Sequence, residues 1–184
     1  MTSTTEKYKI VMLGDFAVGK TSMVKRYVYD LFDELYLTTI GVKVSKKEMA
    51  METPAGTRNV TLLLWDIGGL VDVRNLTTQY LQGASAAVVV ADLTRLGTIT
   101  QIEAHIREFL AVNPRGIVTI AFNKVDRFSE SEFPGNLDKF METYGARYGA
   151  ASFRTSAKTG ENVEALFAHI AGKLGSPRGN AQHT

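Results

Sequence analysis

The residues best suited to chemistry stand in one short stretch, Gly14-Asp15-Phe16-Ala17-Val18-Gly19-Lys20-Thr21, with Ser22 next. Their spacing fits G-x-x-x-x-G-K-[ST], the pattern of a phosphate-binding loop. In such a loop, glycines let successive backbone N–H groups curl around phosphate oxygens. The lysine ammonium reaches the terminal phosphates, and the Thr21 hydroxyl ligates Mg²⁺. A helix beginning at the lysine turns its positive end toward the same anion. Eight residues also match by chance in unrelated loops, so the flanks matter. An apolar run, Ile10-Val11-Met12-Leu13, precedes the loop, and Met23, Val24, Tyr27 and Val28 follow at helical spacing.

Other polar groups close later apolar runs. Asp66 follows Val60 to Trp65, where a carboxylate serving Mg²⁺ would stand, although an isolated aspartate there is more often a turn residue or helix cap. Gly69 can bring a bare backbone N–H close to a terminal phosphate, or simply turn the chain. Asn123-Lys124-Val125-Asp126 is more specific. A carboxylate at Asp126 can accept two hydrogen bonds from the ring N–H and exocyclic amine of guanine, a donor pair that adenine lacks. The stem of Lys124 can lie over the purine, and Asn123 can tie this segment to the phosphate loop. Thr155-Ser156-Ala157-Lys158 can add a backbone donor at the guanine oxygen. Taken alone, each tetrapeptide reads as a solvated loop.

The elements that must position these residues follow from periodicity. Short apolar runs predict buried strands over 8–13, 84–91 (ending at Asp92), 117–122 and 151–154. Alternation over 42–51 and the run 60–65, joined by Thr53-Pro54-Ala55-Gly56-Thr57, predict a β-hairpin. Helices are predicted from Lys20 to about 30, up to about 82, and over 98–112 with Ile99, Ile102, Ile106 and Phe109 on one face. Leu137, Phe140, Met141 and Tyr144 mark another. Asn162 can cap a last helix carrying Val163, Leu166, Phe167, Ile170 and Leu174. This alternation predicts an α/β fold: a doubly wound, mostly parallel six-stranded sheet with one antiparallel strand and helices on both faces. Ligands of such sheets bind beyond the carboxyl ends of the strands, where every motif above falls.

Composition sets the bounds. A chain of 184 residues suits one domain and can bury about 70% of its unfolded surface. We expect that domain over 7–174, with disordered or flexible polar tails at 1–6 and 175–184. The net charge of +2 is too small to argue for nucleic acid. With no cysteine, disulfides, thiolate metal sites and prenylation or palmitoylation of this chain as given are excluded, and Thr2 stands where myristoylation needs glycine. No stretch approaches the about 20 apolar residues of a membrane span. The expectation is a cytoplasmic protein without a direct lipid anchor, reaching a membrane only through a partner or a missing tail.

With these four elements in this order and spacing, the chain resembles the Ras-superfamily small GTPases, most closely the Rab and Ras branches. The resemblance runs from about Tyr8 to Leu174. The phosphate loop, Thr39-Ile40-Gly41-Val42, Trp65-Asp66 and Thr155-Ser156-Ala157-Lys158-Thr159-Gly160 look Rab-like, whereas Gly68-Gly69 is closer to the Arf and heterotrimeric G-protein form. The resemblance implies a P-loop NTPase G domain binding GTP or GDP with Mg²⁺. It places Thr39 as a Mg²⁺ ligand and γ-phosphate sensor beside Thr21 and Asp66, Tyr36 as a lid over the phosphates, and Phe32 beside the base. Gly69 would contact the γ-phosphate, and Lys20 and Thr39 would serve catalysis. Effectors would read residues around 35–45 and 67–80, with an exchange factor and an activating protein as further partners.

Leu70 stands where most relatives carry the glutamine that orients the attacking water, and leucine has no hydrogen-bonding group for that task. Phe16 and Ala17 replace smaller residues of the family's loop, and a side chain as large as Phe16 crowds the path of an activator's arginine finger. Val71 and Asp72 also depart from the usual tract, which favours a natural departure over an introduced one. Leu70 and Phe16 both predict slow hydrolysis and a poor response to a conventional activator. Three readings stay open at this point: a GTP/GDP switch, a GTPase whose turnover drives assembly or transport, and a scaffold holding nucleotide permanently. Lys43, Lys46 and Lys47 read as a solvated strand edge or a partner surface, and His105, His169 and His183 as plain surface residues.

Overall fold

The computed structural model describes residues 6–31, 41–53, 56–68, 74–133 and 135–175. The expected roles of Phe32, Tyr36, Thr39, Gly69 and Leu70 lie outside the described residues, as do residues 1–5 and 176–184 of the expected tails, His183 and the Pro54-Ala55 turn. Glu6 and Gly175, also expected in the tails, belong to the first strand and the last helix.

Six strands form one sheet in the order β2-β3-β1-β4-β5-β6. They are β1 (Glu6–Leu13), β2 (Val42–Thr53), β3 (Gly56–Ile67), β4 (Ala86–Asp92), β5 (Ile117–Asn123) and β6 (Ala151–Arg154). Among the described residues only the β2–β3 pair is antiparallel; β1 pairs in parallel with β3 and β4, and β4, β5 and β6 continue the same sense. The helices are α1 (Lys20–Tyr29), α2 (Arg74–Leu81), α3 (Leu96–Thr100), α4 (Ile102–Val112), α5 (Leu137–Tyr148) and α6 (Val163–Gly175).

The continuous apolar character of β1 and β4 has a direct cause: both faces of the sheet are covered. Successive side chains point to opposite faces. Ile10, Met12, Val88 and Val90 join Met23, Val24 and Tyr27 of α1 and the buried stripe of α6 on one side. Val11, Leu13, Val89 and Ala91 join Ile99, Ile102, Ile106, Phe109, Leu137 and Tyr144 on the other. The Tyr27 and Phe167 rings stack with centroids 4.0 Å apart, locking α1 to α6.

The hairpin is longer than its apolar signal, since β2 and β3 stay paired out to Thr53 opposite Gly56. The single helix expected over 98–112 is two, broken at Gln101. Buried Thr98 accepts the Asp92 N–H (2.9 Å) and donates to the Arg95 carbonyl (2.8 Å), a side-chain tie that fixes the start of α3 to the end of β4. Phe140, expected on the buried face, sits at the rim of the stripe and is exposed, its ring edge-on to Phe133 and Tyr144. Asn162, expected to cap the last helix, directly precedes α6 at φ 54, and its amide donates to the Arg154 carbonyl (2.8 Å), tying the start of that helix to β6. No helix among the described residues is long and apolar enough to cross a membrane.

Candidate functional site

The phosphate-loop sequence fills the turn between the end of β1 and the start of α1, at the carboxyl edge of the sheet. Its backbone needs the left-handed region three times, at Gly14 (φ 133), Ala17 (φ 61) and Gly19 (φ 106). A Cβ at Gly14 would lie 2.2 Å from the Val90 carbonyl oxygen, and one at Gly19 would lie 2.3 Å from Nδ2 of Asn123. The two motif glycines are therefore required by sterics as well as by conformation.

Five consecutive carbonyls of this loop accept side-chain hydrogen bonds. The Lys20 ammonium donates to the oxygens of Gly14 (2.6 Å) and Asp15 (2.8 Å). Arg95 Nη2 donates to Phe16 (2.7 Å), Lys124 Nζ to Ala17 (2.9 Å) and Asn123 Nδ2 to Val18 (2.9 Å). All peptide bonds of the described residues are trans, so each N–H points away from the tied oxygen of its own peptide unit. A loop with oxygens anchored on one side presents amides on the other, the arrangement an anion requires.

Lys20 is only 6% exposed. Desolvation by this burial pushes its ammonium down to about 8, while Asp66 and Asp15 pull it up and Arg95 pushes it down. At the start of α1, Thr21 Oγ1 donates to Oδ2 of Asp66 (2.5 Å), a buried carboxylate near the end of β3. A hydroxyl and a carboxylate side by side are hard oxygen donors suited to Mg²⁺. Among the described residues no three His, Cys, Asp or Glu side chains cluster. A cation at Thr21 and Asp66 would complete its shell with phosphate and water oxygens, as Mg²⁺ commonly does.

The base-side motifs close on the same loop. Asn123 is buried at the end of β5. Besides its bond to Val18, its Oδ1 accepts from the Ala157 N–H (3.1 Å) and the Thr155 hydroxyl (3.3 Å). One carboxamide thus joins three segments more than 30 residues apart in sequence. Lys124 takes a left-handed conformation (φ 68) that turns the chain into a 3-10 turn, Val125–Arg127. Asp126, exposed in that turn, accepts from the Ser156 hydroxyl (2.6 Å), and Ser156 accepts the Thr159 N–H (3.0 Å). From α1, Arg26 donates to the carbonyls of Ala157 (3.1 Å) and Lys158 (2.5 Å), fixing the last motif from behind.

The structure brings together the phosphate loop, Asp66, Asn123, Lys124, Asp126 and Ser156–Lys158. It also adds residues that sequence reasoning missed. Asp92 ends β4 and is 1% exposed. Its Oδ2 accepts from Lys124 Nζ (2.6 Å) and Arg95 Nε (3.0 Å), and its Oδ1 accepts the Thr94 N–H (2.9 Å) and hydroxyl (2.7 Å). Burial acts to raise this carboxyl, but the bonds from Lys124, Thr94 and Arg95 outweigh it and hold Asp92 below the ordinary aspartate range. Its position at a strand's carboxyl end was the available signal; Arg95 carried none. His105, read as a plain surface residue, is partly buried instead, and its Nε2 lies 3.1 Å from Oδ1 of Asp15 in the phosphate loop.

Beside the site, β2 is an edge strand of the sheet. Val44 is exposed opposite Trp65, with the Lys9 ammonium 4.1 Å above the Trp65 ring. Of the three lysines on β2, Lys46 pairs with Glu48 (2.5 Å) and Lys47 donates to the Tyr27 carbonyl (3.2 Å).

Comparison with known proteins agrees with this geometry. A family model described as the Ras family matches residues 9–175. The chain is similar to the GTP-binding protein ypt5 of Schizosaccharomyces pombe, at 37% identity over 171 residues that span 92% of this chain and 79% of that protein. The anchored phosphate loop, the guanine-type motifs hydrogen-bonded to it and these matches lead to one conclusion: the chain belongs to the Ras family, as a Rab-like small GTPase.

Proposed function

We propose that this protein is a guanine-nucleotide switch that binds GTP and GDP with Mg²⁺, signals through its two loops beside the phosphates, and hydrolyses GTP slowly. The observation that supports it best is the Asn123 carboxamide, which ties the phosphate loop at Val18 to the base-side loop at Ala157. A site that grips phosphates and a site that reads a purine are thereby one unit.

In this reading the amides of residues 15–19, with Lys20, Thr21 and Ser22, hold the phosphate chain. Asp126 accepts the two guanine donors, positioned by Ser156, while the Lys124 stem covers one ring face and Phe32 the base edge. Ala157 and Lys158 line the guanine oxygen. Thr21 and Asp66 are the residues that would hold Mg²⁺, with Thr39 as a third. The bound cation would offset charge on the phosphate oxygens. Thr39 and Gly69 would sense the γ-phosphate and Tyr36 would cover it, ordering residues around 35–45 and 67–80 for an effector, and its loss would release them. Val44 beside Trp65 gives that surface an exposed apolar centre. Exchange and activating proteins would act on the same face.

Slow hydrolysis follows from Leu70, which cannot orient water. Phe16, exposed at the loop, adds bulk where an incoming arginine would pass. The decisive experiment is chromatographic identification of the nucleotide in freshly purified protein, with release followed with and without EDTA. Guanine nucleotide that leaves faster in EDTA is expected; adenine nucleotide, or none, would refute the assignment. Asp126→Asn should weaken GTP and favour xanthosine triphosphate, and unchanged GTP affinity would overturn the base contact.

A further inference from the structure

Of the five anchored carbonyls in the phosphate loop, four are held by residues of the nucleotide motifs themselves: two by Lys20, one by Lys124 and one by Asn123. The fifth, on Phe16, is held by Arg95, which belongs to none of the motifs. Arg95 and Lys124 meet on the same oxygen, Oδ2 of Asp92, at 3.0 and 2.6 Å. A single buried carboxylate therefore braces two cations, and each cation passes a second donor to the next carbonyl along the loop.

We propose that Asp92 and Arg95 are positioning residues for nucleotide binding: through Lys124 and the Arg95 guanidinium they fix the Phe16–Ala17 and Ala17–Val18 peptides and couple the base side of the site to its phosphate side. This inference rests on the nucleotide reading above. Those two peptides are the vulnerable part of the loop. They flank Ala17, a residue with a Cβ held at φ 61, a region disfavoured for L-residues. A peptide rotated about that residue would swing an oxygen toward the phosphates and remove an N–H from them. Anchoring the oxygens on both sides of Ala17 blocks that rotation. The planar guanidinium suits the task because Nε and Nη2 donate in fixed directions to two different acceptors. Thr94 satisfies the other oxygen of Asp92 and keeps the carboxylate oriented.

An ion pair of merely structural value predicts something different. Arg95 is 44% exposed on its side chain, and pairs open to solvent contribute little to stability. The test therefore reads the loop rather than the fold. Arg95→Ala should speed dissociation of fluorescently labelled GDP about ten-fold, as expected for losing a charge-assisted hydrogen bond. It should also move the β-phosphorus NMR resonance of bound GDP, with the melting temperature of the nucleotide-free protein nearly unchanged. Arg95→Lys should fall well short of wild type, because one ammonium replaces the separate Nε and Nη2 that reach Asp92 and Phe16. Asp92→Asn should be at least as severe, and if that variant fails to fold the Arg95 pair decides. Wild-type dissociation and an unmoved phosphorus resonance in Arg95→Ala, or full rescue by lysine, would overturn the inference while leaving the nucleotide site intact. Failure of the wild-type protein to bind GDP would instead overturn the proposed function and the inference with it.

Discussion

The buried lysine of the phosphate loop makes a quantitative prediction about protons. In the nucleotide-free protein, desolvation lowers the Lys20 ammonium from 10.5 to about 8. The neutral amine then makes up about one tenth of the population at pH 7 and about three quarters at pH 8.5. Phosphate oxygens brought to Nζ favour the charged form. Binding GDP should accordingly take up about 0.1 proton at pH 7 and about 0.7 at pH 8.5. Titration calorimetry in two buffers of different ionisation enthalpy, repeated at each pH, measures this uptake directly. The same shift carries a stability consequence. Because the folded value lies below the unfolded one, the folded state binds fewer protons between 8 and 10.5. Stability of the nucleotide-free protein should rise with pH across that window, by at most about 3 kcal/mol, and be lost again as pH falls to 8. Uptake near zero at pH 8.5, or uptake independent of pH, would refute the claim that burial poises Lys20.

Gly19→Ala should cost about 3 kcal/mol, from the positive φ together with the displaced Asn123 bond, read as a fall of about 10 °C in melting temperature. Gly14→Ala should be worse, because its Cβ would meet a backbone oxygen of β4 rather than a side-chain nitrogen. Single-turnover GTP hydrolysis by the protein alone should be very slow, and Leu70→Gln should not slow it further; fast intrinsic turnover would require another group near the water, with Asp72, Arg74 and Gln79 the first to mutate.

Much of the fold was legible because two-sided burial leaves an unmistakable mark. Val88, Val89 and Val90 are all buried whichever way they point, and no amphipathic pattern competes with that run. The site was legible where chemistry fixes spacing, as between Gly14 and Lys20, or within Asn123–Asp126. What escaped was decided by single tertiary contacts. The hairpin runs beyond its apolar stretch because backbone pairing with β2 carries Thr57 and Asn59 past the core. The break at Gln101 leaves no mark in the apolar spacing of Ile99, Ile102, Ile106 and Phe109. Arg95 and His105 are indistinguishable in sequence from solvated helix residues, and only their proximity to Phe16 and Asp15 gives them a place in the site.

These contacts bear on why a loop of this kind would bind tightly and cleave slowly. A loop whose carbonyls are already anchored needs little reorganisation when an anion arrives, and preorganisation of that sort is a direct source of affinity. The anchors from Arg95, Lys124 and Asn123 hold loop carbonyls rather than phosphate oxygens and would serve binding whether GTP or GDP is present. Uniform binding lowers the energy of substrate and transition state alike and so leaves the chemical step unassisted. Acceleration requires a group aimed at the attacking water, and the position that supplies it in most relatives is Leu70. On this reading the lifetime of the nucleotide-bound state is set by how firmly the loop holds its ligand and by the partners that open it, and Asp92 and Arg95 would act on that lifetime while Thr39 and Gly69 report which nucleotide is bound.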